Sequence, residues 1–134
     1  MNKIIKFFEK DQFAAMCGIK LIEARPGYAL ARVNISEDHL NAVRIVQGGL
    51  IFTLADLAFA AAINSYGQVA VSISSNISYF KSARGGELLA EAKEVSVNQK
   101  LANYDIEIFD ENKELIAKFN GTAYIKKEQI DFEK

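Results

Sequence analysis

Two glycines, Gly48 and Gly49, open the apolar run "RIVQGGLIFTLADLAFAAAINSYG" (residues 44–67), and one acid, Asp56, sits inside it. Residues of these types could handle an acyl carbonyl. The first N–H groups of a helix have no partner within it and carry the positive end of its dipole. Glycine lets a carbonyl oxygen come close to that backbone. Gly48 and Gly49 are therefore a candidate oxyanion site, with Gly48 as the donor. A carboxylate in an apolar helix is costly unless something compensates it. Asp56 could act as a base that activates water, or as a nucleophile. Tight packing at a helix entrance, and an acid capped by a neighbouring hydroxyl or amide, are the alternatives that these residues leave open.

Helix geometry constrains the pair. Asp56 lies eight residues beyond Gly48, or roughly 12 Å further along the axis. A side chain of that reach does not attack a carbonyl held at the start of its own helix. A second helix, antiparallel across a two-fold axis, would bring its Asp56 beside this Gly48.

The elements that must position these residues follow from the pattern of the chain. Residues 3–16 predict a short helix, and alternation over 29–35 predicts a strand. The central helix is predicted over 48–65, ending before Gly67. Four further strands are predicted over 69–81, 87–98, 101–109 and 114–126, with turns at "ARGG" and "DENK". Four consecutive strands make a largely antiparallel sheet, and one helix must cover a face of it. A helix apolar on every side has more surface than one sheet covers, and a second copy of the chain is the simplest partner for the surplus.

Composition narrows the function classes. The 134 residues contain no linker or repeat and read as one domain, 1–134. A net charge of −1 with dispersed basic residues argues against nucleic-acid binding and against a polybasic membrane anchor. The single cysteine, Cys17, allows no intramolecular disulfide and favours an intracellular, cytoplasmic setting. The charged N-terminus does not read as a signal peptide. Thr53, Asp56 and Asn64 place the apolar helix inside protein rather than in a membrane. With one histidine, His39, and one cysteine there is no zinc-ligand pattern. No serine-hydrolase elbow or nucleotide fingerprint is present.

The run "LNAVRIVQGGLIFTLADLAFAAAINSYG", then "NISYFKSARGGELLAEAKEV" and "YDIEIFDENKELIAKFNGTAYI", resembles the hotdog-fold acyl-CoA thioesterases of the PaaI-like (phenylacetate-pathway) group over most of the chain. The resemblance implies an α+β fold in which an antiparallel β-sheet wraps a long central helix. It implies hydrolysis of an acyl-CoA thioester to the free acid and CoA, with no metal and no cofactor beyond the CoA of the substrate. It also implies a site shared between two subunits, a homodimer at minimum, and pairing of dimers into a homotetramer.

Asn41 matches an amide-bearing position of that group, associated with holding the thioester or the attacking water. A turn residue is its alternative reading. Gln47 stands where the group has histidine; glutamine donates and accepts hydrogen bonds but carries no proton charge. That difference makes a non-catalytic acyl-CoA-binding protein of the same fold the alternative function. Gly49, Leu50 and Leu54 are expected to contact substrate, with Leu57 and Phe59 helping to select the acyl group. Lys81 and Arg84 flank a turn near the expected channel mouth and could meet a CoA phosphate.

Overall fold

The computed structural model describes residues 2–134. Its elements are α1 (Lys3–Phe8), α2 (Gln12–Met16), β1 (Lys20–Arg25), β2 (Tyr28–Asn34), a 3-10 turn (Glu37–His39), α3 (Gly48–Asn64), β3 (Gln68–Tyr79), β4 (Glu87–Val97), β5 (Leu101–Asp110) and β6 (Leu115–Gln129). The six strands form one sheet in the order β1-β2-β4-β5-β6-β3. Every pairing is antiparallel. The sheet wraps α3, as the resemblance implies.

The N-terminal third departs from expectation in two places. The helix predicted over 3–16 is broken into two, because the Asp11 side chain accepts a hydrogen bond from the Ala14 N–H (3.0 Å) and starts α2 afresh. The single strand is a hairpin, β1 and β2, turned at Gly27, which sits in the left-handed region (φ 84°). β1 is a mostly exposed edge strand with a bulge between Leu21 and Glu23, so it shows no clean alternation.

Alanine pairs line part of the inner face of the sheet, beside larger buried side chains such as Leu88, Ile106 and Ile108. Ala29 pairs with Ala92, Ala31 with Ala90, and Ala102 with Ala123, all of them buried. That shallow floor lets α3 settle close to the strands. The helix is itself rich in alanine, and Leu54, Ala55, Ala58, Ala61 and Ala62 are fully buried. Aromatic side chains of helix and sheet form one cluster. Phe59 of α3 lies 5.6 Å from Tyr104 and 6.0 Å from Phe119, measured between ring centroids.

The segment after β3 holds the entrance of α3. It crosses the end of the sheet, and its backbone bonds in turn to β6, to the loop before α3 and to the residue after β2. The Phe80 N–H donates to the Ile116 carbonyl, the Ala83 carbonyl accepts from Val46 N–H, and the Gly86 carbonyl accepts from Ile35 N–H, each at 2.8 Å. At the far end of α3, Asn64 Oδ1 accepts from the Ala70 N–H (2.8 Å) and ties the helix to β3.

Gly121 of β6 lies under the Phe59 ring. A Cβ there would sit 2.6 Å from a Phe59 ring carbon and 3.0 Å from Phe119. Both rings are buried with no room to retreat. Gly121→Ala is expected to cost about 1–3 kcal/mol of folding stability through overpacking. Urea unfolding should show a lower midpoint at unchanged slope.

Candidate active site

The N-terminus of α3 is open. The Leu50 N–H donates to the Gln47 carbonyl (3.0 Å), but the N–H groups of Gly48 and Gly49 donate to nothing among the described residues. Gly49 is exposed and Gly48 half-buried. Gln47 occupies the N-cap with an exposed side chain that makes no cap bond. Two donors and the positive end of a 17-residue helix therefore face outward without an acceptor.

Tyr79, at the end of β3, is a neighbour of this entrance that sequence reasoning missed. Its hydroxyl donates to the Gly48 carbonyl (3.1 Å). A Cβ on Gly48 would meet its ring carbon and hydroxyl oxygen at 3.2 Å. Glycine at position 48 thus admits the tyrosine as well as leaving the N–H open. No local pattern links the two residues, which lie 31 positions apart.

Asn41 organises the loop before α3. Its Oδ1 accepts from the N–H groups of Val43 (3.0 Å) and Ile45 (3.3 Å), which closes the Asx turn of residues 41–45. Its Nδ2 donates to nothing among the described residues, so the amide retains a free donor. His39 belongs to the same loop. Its Nε2 lies 2.7 Å from the Cys17 carbonyl and its Nδ1 accepts from the Ser36 N–H (2.9 Å), which requires the neutral Nε2–H tautomer. Its own carbonyl accepts from the Gln47 N–H (2.8 Å). The lone histidine is a structural tie.

Asp56 lies on the one stripe of α3 that the protomer leaves uncovered. Gly49, Phe52, Thr53, Asp56 and Ala60 are exposed or half-buried, while the other helix faces are buried. The spacing of three and four places them on a single face. Thr53 Oγ1 donates back to the Gly49 carbonyl (2.7 Å) and leaves the carboxylate alone. Among the described residues no donor reaches Asp56. Desolvation pushes its carboxyl above the usual value of 3.8, and the charge of nearby Asp11 adds to the shift.

Not every predicted contact lies at this face. Leu50 and Leu54 are 6% and 0% exposed and point into the core under the sheet. An all-round apolar helix gives no signal of which leucines face outward. Phe59 is likewise packed on Phe119 and Tyr104. Lys81 is engaged in an exposed ion pair with Glu114. Arg84 has no acidic partner among the described residues. Its Nη1 lies 3.5 Å from the Arg44 carbonyl, beside the loop that leads to α3. No cluster of three or more His, Cys, Asp or Glu residues capable of holding a metal ion occurs among the described residues. Among them, no helix is long and apolar enough to cross a membrane.

Comparison with known proteins gives three kinds of match. The family described as the Thioesterase superfamily matches residues 44–117. A protein of Archaeoglobus fulgidus is 42% identical over 118 residues, covering 87% of this chain and 77% of that one. Acyl-coenzyme A thioesterase PaaI of Escherichia coli is 32% identical over 87% of this chain and 84% of its own. The structure of the Escherichia coli PaaI protein superposes with a TM-score of 0.89 at 31% identity, over 94% of this chain and 92% of that one. A Streptococcus mutans protein solved with acetyl-CoA bound superposes with a TM-score of 0.79 at 25% identity, over 84% of this chain and 91% of that one.

The raised Asp56 carboxyl has a consequence for stability. Its charged form is the penalised one. The penalty is absent in acid, grows as pH rises past the unfolded-state value, and is complete above the raised native value. Asp56→Asn is therefore expected to melt above the wild type near neutral pH. The difference should vanish as pH falls below about 4, and calorimetric Tm against pH reads it.

Proposed function

The chain belongs to the thioesterase superfamily as a PaaI-like acyl-CoA thioesterase of the hotdog fold, and we propose that it cleaves its substrate with Asp56 of one protomer and the α3 entrance of another. The observation that carries this reading is the pairing of an unbonded, desolvated carboxylate with unpaired N–H donors on a single helix. The two lie roughly 12 Å apart along the axis. Two antiparallel copies of the α3 stripe would close that gap. β3 supports the same partner, because its outer edge pairs with no strand and presents a row of open backbone groups. Pairing of two such dimers into a tetramer is the further step we propose.

The chemistry then runs as follows. The thioester carbonyl oxygen accepts from the Gly48 N–H, with Gly49 leaving room for the acyl group. The Asp56 carboxylate takes a proton from a water, and the resulting hydroxide adds to the carbonyl carbon. The oxyanion is held at the positive end of α3. Collapse breaks the C–S bond, and the thiolate of CoA recovers the proton from Asp56. The free Asn41 Nδ2 and the Gln47 amide orient the thioester. Gln47 fills the place of a histidine without supplying a proton, so the acid–base work falls to Asp56 alone. Arg84, a cation with no acidic partner at the edge of this entrance, takes a phosphate of CoA, and Lys81 does so only on leaving Glu114.

Asp56→Asn is expected to lower kcat on acyl-CoA at least about a hundredfold, read by thiol release. In the wild type, kcat/KM should rise with pH through an ionisation above the usual carboxylate value, because the base must be ionised and its carboxyl is shifted upward. A single turnover in oxygen-18 water should place the label in the product acid at once. Unlabelled first-turnover product would make Asp56 the nucleophile instead.

Sharing of the site is tested by complementation. One inactive chain carries Asp56→Ala. The other carries Gly48→Pro, which removes the N–H donor, together with Tyr79→Ala, which clears the ring that a proline at position 48 would meet. Refolding folded, separately inactive chains together in equal amounts should restore roughly a quarter of wild-type activity, since half the dimers are mixed and each holds one intact site. No recovery, with mixed dimers confirmed by mass, overturns the shared site.

A further inference from the structure

The first turn of α3 is the part of the helix that its own sequence restrains least. Two adjacent glycines open it, and glycine has more backbone freedom than any other residue. Gln47, at the N-cap, adds no side-chain bond. The ties from the preceding loop stop short of the pair. The Val46 N–H donates to the Ala83 carbonyl and the Gln47 N–H to the His39 carbonyl, each at 2.8 Å. Among the described residues, the one hydrogen bond from outside the helix to the glycine pair itself comes from Tyr79, whose hydroxyl donates to the Gly48 carbonyl (3.1 Å). We propose that Tyr79 is a positioning residue of the thioester site, whose ring and hydroxyl hold this turn so that the Gly48 and Gly49 N–H groups stay aimed outward together. This rests on the thioesterase reading above and adds to it the side chain that keeps the two donors in place.

Strand register delivers the tyrosine. β3 pairs Ile77 with Phe119 and Tyr79 with Ala117, and both partners are buried on β6. Residues paired across two strands share a face, so Tyr79 is turned toward α3. The strand end is anchored just beyond it, where the Phe80 and Lys81 N–H groups both donate to the Ile116 carbonyl (2.8 and 3.2 Å). The ring lies against Gly48, where an added Cβ would meet a ring carbon and the hydroxyl oxygen at 3.2 Å. It therefore bars the glycine from swinging toward β3.

The hydroxyl bond orients a free donor. A trans peptide group is planar, with its carbonyl and N–H pointing opposite ways. Fixing the Gly48 carbonyl therefore fixes the direction of the Gly49 N–H, which donates to nothing among the described residues. Thr53 makes the contrast. Its hydroxyl holds the Gly49 carbonyl (2.7 Å), but the N–H of that peptide belongs to Leu50 and is already bonded to the Gln47 carbonyl. Donors stabilise an oxyanion best when they need no reorganisation as its charge develops. Glycines free to turn would have to be ordered during the reaction, which lowers the rate while the neutral thioester binds as before.

The test compares Tyr79→Phe, which keeps the ring, with Tyr79→Ala, which removes ring and hydroxyl together. Acyl-CoA hydrolysis followed by thiol release should show kcat lowered about tenfold in Tyr79→Phe, with KM within about twofold of the wild type. Tyr79→Ala should fall at least as far. The melting temperature of Tyr79→Phe should match the wild type, because the bond it removes is exposed to solvent. Amide spectra of protein labelled with nitrogen-15 glycine read the same device without substrate. In Tyr79→Phe the Gly49 signal should shift and gain motion, while Gly18 and Gly27 stay unchanged. Wild-type kcat in Tyr79→Phe overturns the role, and so does a loss that falls wholly on KM, which would make the tyrosine a substrate contact. An unaltered Gly49 signal in that variant overturns it whatever the kinetics. A shifted, more mobile Gly49 in a protein that hydrolyses no acyl-CoA supports the tyrosine's hold on the turn and overturns the thioesterase reading alone.

Discussion

The distance between α3 and the sheet is the constraint on which everything else depends. Alanine-lined rows on β2, β4, β5 and β6 let the helix lie low, and its own alanines complete the fit. Gly121 lies beneath the Phe59 ring, where a side chain would not fit. Because the helix sinks this far, only one narrow stripe stays uncovered, and Asp56 is the single charge on it. Close packing elsewhere thus selects which side chains can meet a ligand. The same closeness excludes Leu50 and Leu54 from that face.

A carboxylate on a largely apolar stripe is a liability for folding and an asset for chemistry. Among the described residues none donates a hydrogen bond to it, and burial leaves its charged form penalised. Satisfying it with a neighbour would stabilise the chain and lower the basicity that proton abstraction needs. The N–H groups at the other end of α3 stand in the same condition, unpaired although a side chain at the N-cap could have reached them. Both ends of the proposed machinery are left wanting partners, and the cost is carried by the well-packed remainder of the helix.

Much of this was legible in the sequence, for identifiable reasons. The central helix and four C-terminal strands are long enough for their periods to register, and the acid stood out because nothing else in the apolar run is charged. β1 escaped notice because an exposed edge strand with a bulge has no buried face to imprint alternation. The break at Asp11 depends on a side-chain cap that an aspartate in any polar stretch could have made. Arg84 and Lys81 read alike as bases in a turn, and only tertiary structure separates the one paired with Glu114 from the one that is free. Tyr79 had no signal, since its role exists only after β3 has crossed to the far edge of the sheet.

That tyrosine links distant parts of the fold electronically. Its hydroxyl donates to the carbonyl of the peptide group that joins Gly48 to Gly49. A hydrogen bond at a carbonyl oxygen draws electron density along the amide and leaves the N–H at the other end more acidic. The N–H at the other end here belongs to Gly49, one of the two donors left open at the helix entrance. The edge strand thereby acts as an inductive substituent on the backbone, tuning the donor strength of an N–H that it does not itself contact.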